Sequence, residues 1–276
     1  MRTFSLLNAD GEAYDLTDKG ASFFYGVDGL GTENTVEHQQ VGNDYVILTD
    51  LLSQSEITGS VKFWNPGAQK QYREFVRFCQ SKPLTLVYTA DGTEFRKKGT
   101  VTKIEYSEGE CLRAAVTFAG LTPYYRELRS DSEKSSIENG KKYSFTYPYR
   151  YESTLANTVV IESESGIESP CRLTIKGPLT NPRWVHYVNN VECCSGKVIA
   201  EIPMGHRLVI DTTAVPYSIK EYNSQGEEVA DRYQASDFGT QRFILLRHGN
   251  NRITVTEDNG AEIEIRVEGR IYYASV

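Results

Sequence analysis

Apolar residues recur at every second position along most of this chain. Ile57, Gly59, Val61 and Phe63 alternate with polar neighbours, and so do Leu112, Ala114, Val116 and Phe118. The pattern returns at Leu173 and Ile175, Leu208 and Ile210, Ile253 and Val255, and Ile263, Ile265 and Val267. Successive side chains of a strand leave opposite faces, so a period of two means one buried and one solvated face, as in antiparallel sheets packed as sandwiches. Asp10-Gly11, Asp91-Gly92, Glu138-Asn139-Gly140, Gln225-Gly226 and Asn259-Gly260 punctuate the runs as turns. Asn259-Gly260 lies between two alternating runs and reads as the clearest hairpin. After Val101 the phase breaks, with Ile104 and Tyr106 following, which is the mark of a bulge.

One segment follows another period. Tyr72, Phe75, Val76 and Cys79 fall at i, i+3, i+4 and i+7, with Lys70, Arg73, Glu74 and Arg77 on the other side. The spacing predicts one α-helix over about 66–81, capped by Asn65, with Pro66 in its first turn and Lys82-Pro83 ending it. A chain of 276 residues is long enough for two cores. Residues 127–142 hold little besides Ser, Glu, Lys and Gly and cannot bury a core of their own. The fold class is therefore mainly β, with two β-sandwich-type domains: 1–128 carrying the helix, 129–142 a linker or exposed excursion, and 143–276 all β. A return of Ile271-Tyr272-Tyr273, after Gly269, to the first domain would make that boundary discontinuous.

Charge and composition exclude several classes. The net charge is -7, and Lys and Arg are outnumbered in both halves, 13 to 17 in residues 1–128 and 17 to 20 beyond. The longest basic run is Arg96-Lys97-Lys98. A protein that grips DNA neutralises phosphates with clustered cations, so specific nucleic-acid binding is not expected. No apolar stretch is long enough to span a membrane, and the N-terminal apolar run is too short for a secretion signal. Five cysteines without CxxC spacing, and no Asn-x-Ser/Thr site, fit folding in a reducing cytosol. Cys193-Cys194 offers a vicinal disulfide or soft-metal site; the plainer reading is two strand residues on opposite faces.

Candidate chemistry is thin. GxSxG, Walker A, HExxH and EF-hand patterns are absent. Gly26-Val27-Asp28-Gly29-Leu30-Gly31 departs from GxGxxG spacing, precedes no helical pattern, and reads as a tight turn. His38, His186, His206 and His248 show no metal-ligand spacing. Glu162, Glu164 and Glu168 are the densest carboxylates and read as a solvated turn. No catalytic, cofactor or metal residue is nominated. Aromatics point to interfaces instead: Phe23-Phe24-Tyr25 is a candidate self-assembly anchor, with core filling as its alternative. Tyr143, Phe145, Tyr147, Tyr149 and Tyr151 form a second candidate stripe, interrupted by Pro148.

Several segments in order resemble the distal tail protein (Dit, or siphovirus tail component) family of long-tailed phages. They are Phe4-Ser5-Leu6-Leu7-Asn8, Tyr14-Asp15-Leu16, Val27-Asp28-Gly29-Leu30-Gly31, Ile57 to Phe63, Tyr72-Arg73-Glu74-Phe75, Leu84 to Tyr88, and the closing Phe118-Ala119-Gly120-Leu121-Thr122-Pro123-Tyr124-Tyr125. A weaker echo runs through Ile175-Lys176-Gly177-Pro178, Asn181-Pro182, Arg242 to Leu246 and Gly249 to Ile253. The resemblance implies a non-enzymatic structural protein of the virion tail tip, made and assembled in the bacterial host cytoplasm, without cofactor or membrane insertion. It implies a homohexameric ring whose first domain surrounds a channel that DNA passes without specific binding. It implies a galectin-like C-terminal sandwich projecting outward as an arm or wall. The implied partners are further copies of the chain, the tail tube protein, the tail-tip spike or tail-associated lysin, and receptor-binding proteins. The residues alone leave two rivals: a carbohydrate- or cell-wall-binding module, suggested by the tyrosine stripe, and a glycan or cell-wall hydrolase, suggested by scattered carboxylates and histidines.

Overall fold

The computed structural model describes residues 2–18, 22–109, 111–132, 157–259 and 263–276. The chain is mainly β and divides into two compact units, residues 1–126 with 272–276, and residues 127–271. Tyr272–Val276 thus belong to the first unit. The aromatic stripe Tyr143 to Tyr151 lies outside the described residues, as do 133–142 of the segment read as a linker.

The first unit is built from β1 (Thr3–Leu7), β2 (Ala13–Asp15), β3 (Ser22–Asp28), β4 (Asn34–Val41), β5 (Asp44–Leu52), β6 (Glu56–Phe63), α1 (Ala68–Phe78), β7 (Leu84–Ala90), β8 (Thr93–Ser107), β9 (Leu112–Gly120) and the start of β10 (Tyr124–Asp131). β10 itself runs three residues into the stretch 129–142.

The fifteen-residue β8 serves two leaves of sheet. Its first half pairs with β7, which continues to β1 and β2; its second half pairs with β9, which continues to β6 and β3. The partner changes at Gly99, where a Cβ would sit 2.3 Å from the Phe118 ring and 2.5 Å from the Ala119 carbonyl oxygen. The register then slips between Val101 and Lys103, the bulge that the broken phase predicts. On the opposite side Leu16 ties the leaves: its amide donates to the Phe4 carbonyl at 3.0 Å, and the Phe24 amide donates to the Leu16 carbonyl at 2.8 Å. Ile57, Val61, Phe63, Ala114, Val116 and Phe118 pack from one leaf, Phe4, Leu6, Leu84, Leu86 and Tyr88 from the other, in one core.

The helix is shorter than its spacing suggests at both ends. Gly67, with φ 103°, stands at its N-terminal boundary and no side chain caps it, so Asn65 and Pro66 lie outside. A left-handed residue cannot continue an α-helix, which is why the regular turns begin only at Ala68. Phe75 is fully buried, 5.3 Å from the Tyr14 ring and 5.8 Å from that of Phe63.

The glycine-rich turn is likewise a backbone device. β3 slips register between Tyr25 and Asp28, with Gly26 and Gly29 at φ 61° and 82°. A Cβ on Gly29 would lie 1.9 Å from the Glu56 carbonyl oxygen. Gly29→Ala is expected to destabilise the first unit by about 2–5 kcal/mol, from left-handed strain plus a backbone clash, as read by chemical denaturation.

The second unit holds β11 (Thr158–Ser163), β12 (Ser169–Lys176), β13 (Leu179–Thr180), β14 (Arg183–Val188), β15 (Val191–Lys197), β16 (Glu201–Ile202), β17 (Arg207–Asp211), β18 (Ser218–Tyr222), β19 (Glu228–Asp231), β20 (Leu245–Leu246), β21 (Gly249–Thr256) and β22 (Ile265–Tyr273, to Ile271 in this unit). One sheet runs β19-β18-β17-β12-β22 and the other β11-β21-β14-β15. Leu173, Ile175, Leu208, Ile210, Ile219, Ile265 and Val267 are buried from the first; Val159, Ile161, Trp184, Ile253 and Val255 from the second. The strands on either side of Asn259-Gly260, expected to form a hairpin, do not pair with each other among the described residues: β21 pairs with β11 and β14, β22 with β12, so the two lie in different sheets. Alternation reports which face of a strand is buried and carries no information about its partner.

Candidate functional site

The most unusual surface of the first unit is the hairpin β4–β5. Its strands pair from Asn34↔Leu52 to Val41↔Asp44 around Gly42, at φ 67°. Every residue of β4 and all but Thr49 of β5 is exposed. β4 is largely polar, whereas β5 carries Tyr45, Val46, Ile47, Leu48 and Leu51, each 50–68 % exposed. A slip between Glu37 and His38 leaves Leu48 without a cross-strand partner. The hairpin's root is fixed: the Ser53 amide donates to the Glu33 carbonyl at 2.8 Å, Gln54 Nε2 to the Gly120 carbonyl at 2.9 Å, and the Gly120 amide to the Ser55 carbonyl at 2.9 Å. A two-stranded ribbon with neither face on a core is marginal in water. This one also exposes a continuous apolar run, the kind of patch that marks a protein interface.

Sequence reading missed this hairpin. Its signal was present: Val41-Gly42-Asn43-Asp44 is a turn between β-rich runs, and Tyr45-Val46-Ile47-Leu48 is apolar without alternation, so it assigns no face inward. The aromatic triplet on β3 separates by strand parity. Phe24 is 7 % exposed and packs edge-on against Phe4, with ring centroids 5.5 Å apart, so it belongs to the core. Phe23 and Tyr25 are half-buried on the other face.

The remaining candidates are dispersed. Cys194 is buried and Cys193 half-buried, on opposite faces of β15, and all five cysteines are free. Burial pushes the thiols of Cys79, Cys171 and Cys194 up to about 12, which leaves them protonated and unreactive. Glu168 pairs with Arg247 at 2.8 Å and Glu162 accepts a hydrogen bond from Asn250. Among the described residues no three His, Cys, Asp or Glu side chains gather as a metal would require, and no helix is long and apolar enough to cross a membrane.

Two histidines are structural. His206 Nδ1 lies 2.6 Å from the buried Glu221, whose other oxygen meets Arg232 at 2.5 Å. His186 is buried, with Nε2 3.1 Å from Asn251 Oδ1, and Asn251 Nδ2 donates to the Arg247 and Gly249 carbonyls. Burial, with the Arg247 charge, holds the His186 pKa below its ordinary value against the Asn251 hydrogen bond. The folded state therefore favours neutral imidazole, and its contribution is lost as pH falls through the ordinary histidine range. The unfolding temperature of the second unit is expected to drop between about pH 7.5 and 5.5, and His186→Gln to flatten that dependence in calorimetry.

Comparison with known proteins places this architecture. Residues 3–121 match the family described as distal tail protein, N-terminal domain. No curated protein matches the sequence. Among solved structures, the chain is similar to one in the baseplate of phage P2 in its activated conformation with Ca, with TM-score 0.54, 16 % identity and all of both chains covered. The same baseplate with Sr gives TM-score 0.52 and 16 % identity over 97 % of this chain and 98 % of that one. The SPP1 Dit protein, described as a paradigm of the hub adsorption apparatus in phages infecting Gram-positive bacteria, gives TM-score 0.63 and 12 % identity, covering 97 % of this chain and 98 % of that one. At such identities the likeness is one of fold, and it extends along the whole chain. Residues 3–121 thus carry a domain that matches the N-terminal domain of distal tail proteins.

Proposed function

We propose that this chain is a non-enzymatic structural hub of a phage tail tip, whose copies assemble head to tail into a homohexameric ring. The first unit builds the ring around a channel. The ring joins the tail tube to the tail-tip spike or tail-associated lysin and to receptor-binding proteins, as part of an adsorption apparatus. The observation that carries this reading is the β4–β5 hairpin. An apolar ribbon held away from its own core is stabilised when a neighbour covers it, and a heterologous contact repeated around an axis closes a ring. The chain's net charge of -7 suits a channel through which DNA slides without adhering. Assembly takes place in the host cytoplasm and the product resides at the tail tip. Size-exclusion chromatography with light scattering should return a hexameric mass, and negative-stain microscopy a ring. A protein that stays monomeric and ring-free at high concentration overturns the reading.

A further inference from the structure

Arg96-Lys97-Lys98, the longest basic run in the sequence, is split by the pleat of β8. Lys97 shares the inward phase of Phe95, Gly99 and Val101 and is 4 % exposed. Among the described residues it makes no hydrogen bond and has no carboxylate within ion-pair distance. Its described polar contact is the face of the Tyr124 ring, 4.4 Å from Nζ to the centroid. Burial pushes its pKa down to about 8. An ammonium on a largely buried stem loses part of its hydration, and such a group normally has a partner to replace it.

The surroundings are shaped to admit one. Lys97 lines an open cleft of about 360 Å³ together with Thr32, Glu33, Ser53, Ser55 and Pro123. Gly120 forms part of its wall: a Cβ there would lie 2.4 Å from Lys97 Cε and 3.3 Å from Ser55 Oγ, so only glycine lets the lysine stem and this hydroxyl sit side by side. Ser55 Oγ is buried and has no hydrogen-bond partner. One cation and one unpaired hydroxyl beside a cleft match the two oxygens of a carboxylate. Glu33, on the rim, is exposed and does not reach the ammonium in this structure.

We propose that this cleft is a carboxylate seat at the root of the hairpin, in which Lys97 and Ser55 Oγ receive an acidic side chain from a second copy of the chain. The occupant follows from position and charge. The cleft walls, Gly31–Glu33 and Leu52–Ser55, are the two stems of β4–β5, so whatever packs on the hairpin also faces the cleft. The chain has 37 acidic residues to offer. The inference rests on the self-assembly reading above and adds the polar contact that fixes its register.

The test compares self-association of wild type and Lys97→Met by light scattering. Methionine keeps the length of the stem and removes the unpaired charge, so the monomer should melt at or above the wild-type temperature. Its association should weaken about thirtyfold or more, because the docked carboxylate is left buried alone. Equal association of Lys97→Met and wild type overturns the seat and leaves the ring reading standing, whereas a wild type that never associates defeats both. A second measurement does not depend on assembly. In monomer with ¹³C-methylated lysines, the signal titrating near pH 8 should move to higher pH on adding glutarate. No response to glutarate, or a response to inorganic phosphate alone, overturns the proposal.

Discussion

Excising the β4–β5 hairpin should yield a folded monomer. Glu33 and Ser53 are already joined by a backbone hydrogen bond, so a two-residue turn can replace residues 34–52 without disturbing β3 or β6. The hairpin contributes no residue to the core, and thermal stability should change by no more than about 1 kcal/mol. Association should be lost outright. Five side chains on β5 that are at least half exposed would each gain roughly 1–2 kcal/mol on being covered, before the cost of ordering two partners. A milder version, Ile47→Asp with Leu48→Asp, places a charge in the apolar run and should weaken association by at least a hundredfold, read by light scattering and microscopy. A hairpin-less protein that still forms rings would assign the interface elsewhere, with Phe23 and Tyr25 next in line.

The second large effect concerns stability. Glu221 is 1 % exposed and sits between His206 and Arg232. Burial alone would raise its pKa, yet the hydrogen bonds from His206 and Arg232, with their charges, hold it below the ordinary carboxylate value. Its stabilising contribution is therefore complete above that ordinary value and disappears as pH falls through the lower folded one. Glu221→Ala removes the acceptor for both partners. Breaking a buried pair costs about 3–5 kcal/mol, and the low end applies here because both partners keep contact with water. For a unit of this size that is a fall of roughly 10 °C in unfolding temperature. Calorimetry should place the loss in the second unit and show it shrinking as pH falls below the ordinary carboxylate value towards the lower folded one. A variant that melts like wild type at pH 7 would mean that water already satisfies His206 and Arg232.

Much of this architecture is legible in the sequence because burial leaves a period. The inward residues from Ile57 to Phe63 and from Leu112 to Phe118 are those that alternation selects, and Phe75 and Cys79 are the buried members of the helical stripe. Pairing is less legible. β21 and β22 look like a hairpin because each has one apolar face, but those faces close different sheets of one sandwich. The helix ends shift because Gly67 takes a left-handed conformation that neither Asn65 nor Pro66 announces. The exposed hairpin is hardest to read, since apolar residues of β5 that face solvent are spelled like residues that face a core. Lys97 is the converse: a charge in the inward phase of β8 is visible once parity is applied, and a run of three cations conceals it.

The split of the first unit imposes an order on biosynthesis. Tyr273 lies edge-on to Phe95 with ring centroids 5.2 Å apart, and with Val276 it packs on the first core, yet both follow residues 127–271 in the chain. A nascent polypeptide therefore finishes its N-terminal core only after the entire second unit has left the ribosome. Until then the Phe95 side of that core stays uncovered, so subunits with a complete first core are delivered late, each with its companion unit already made.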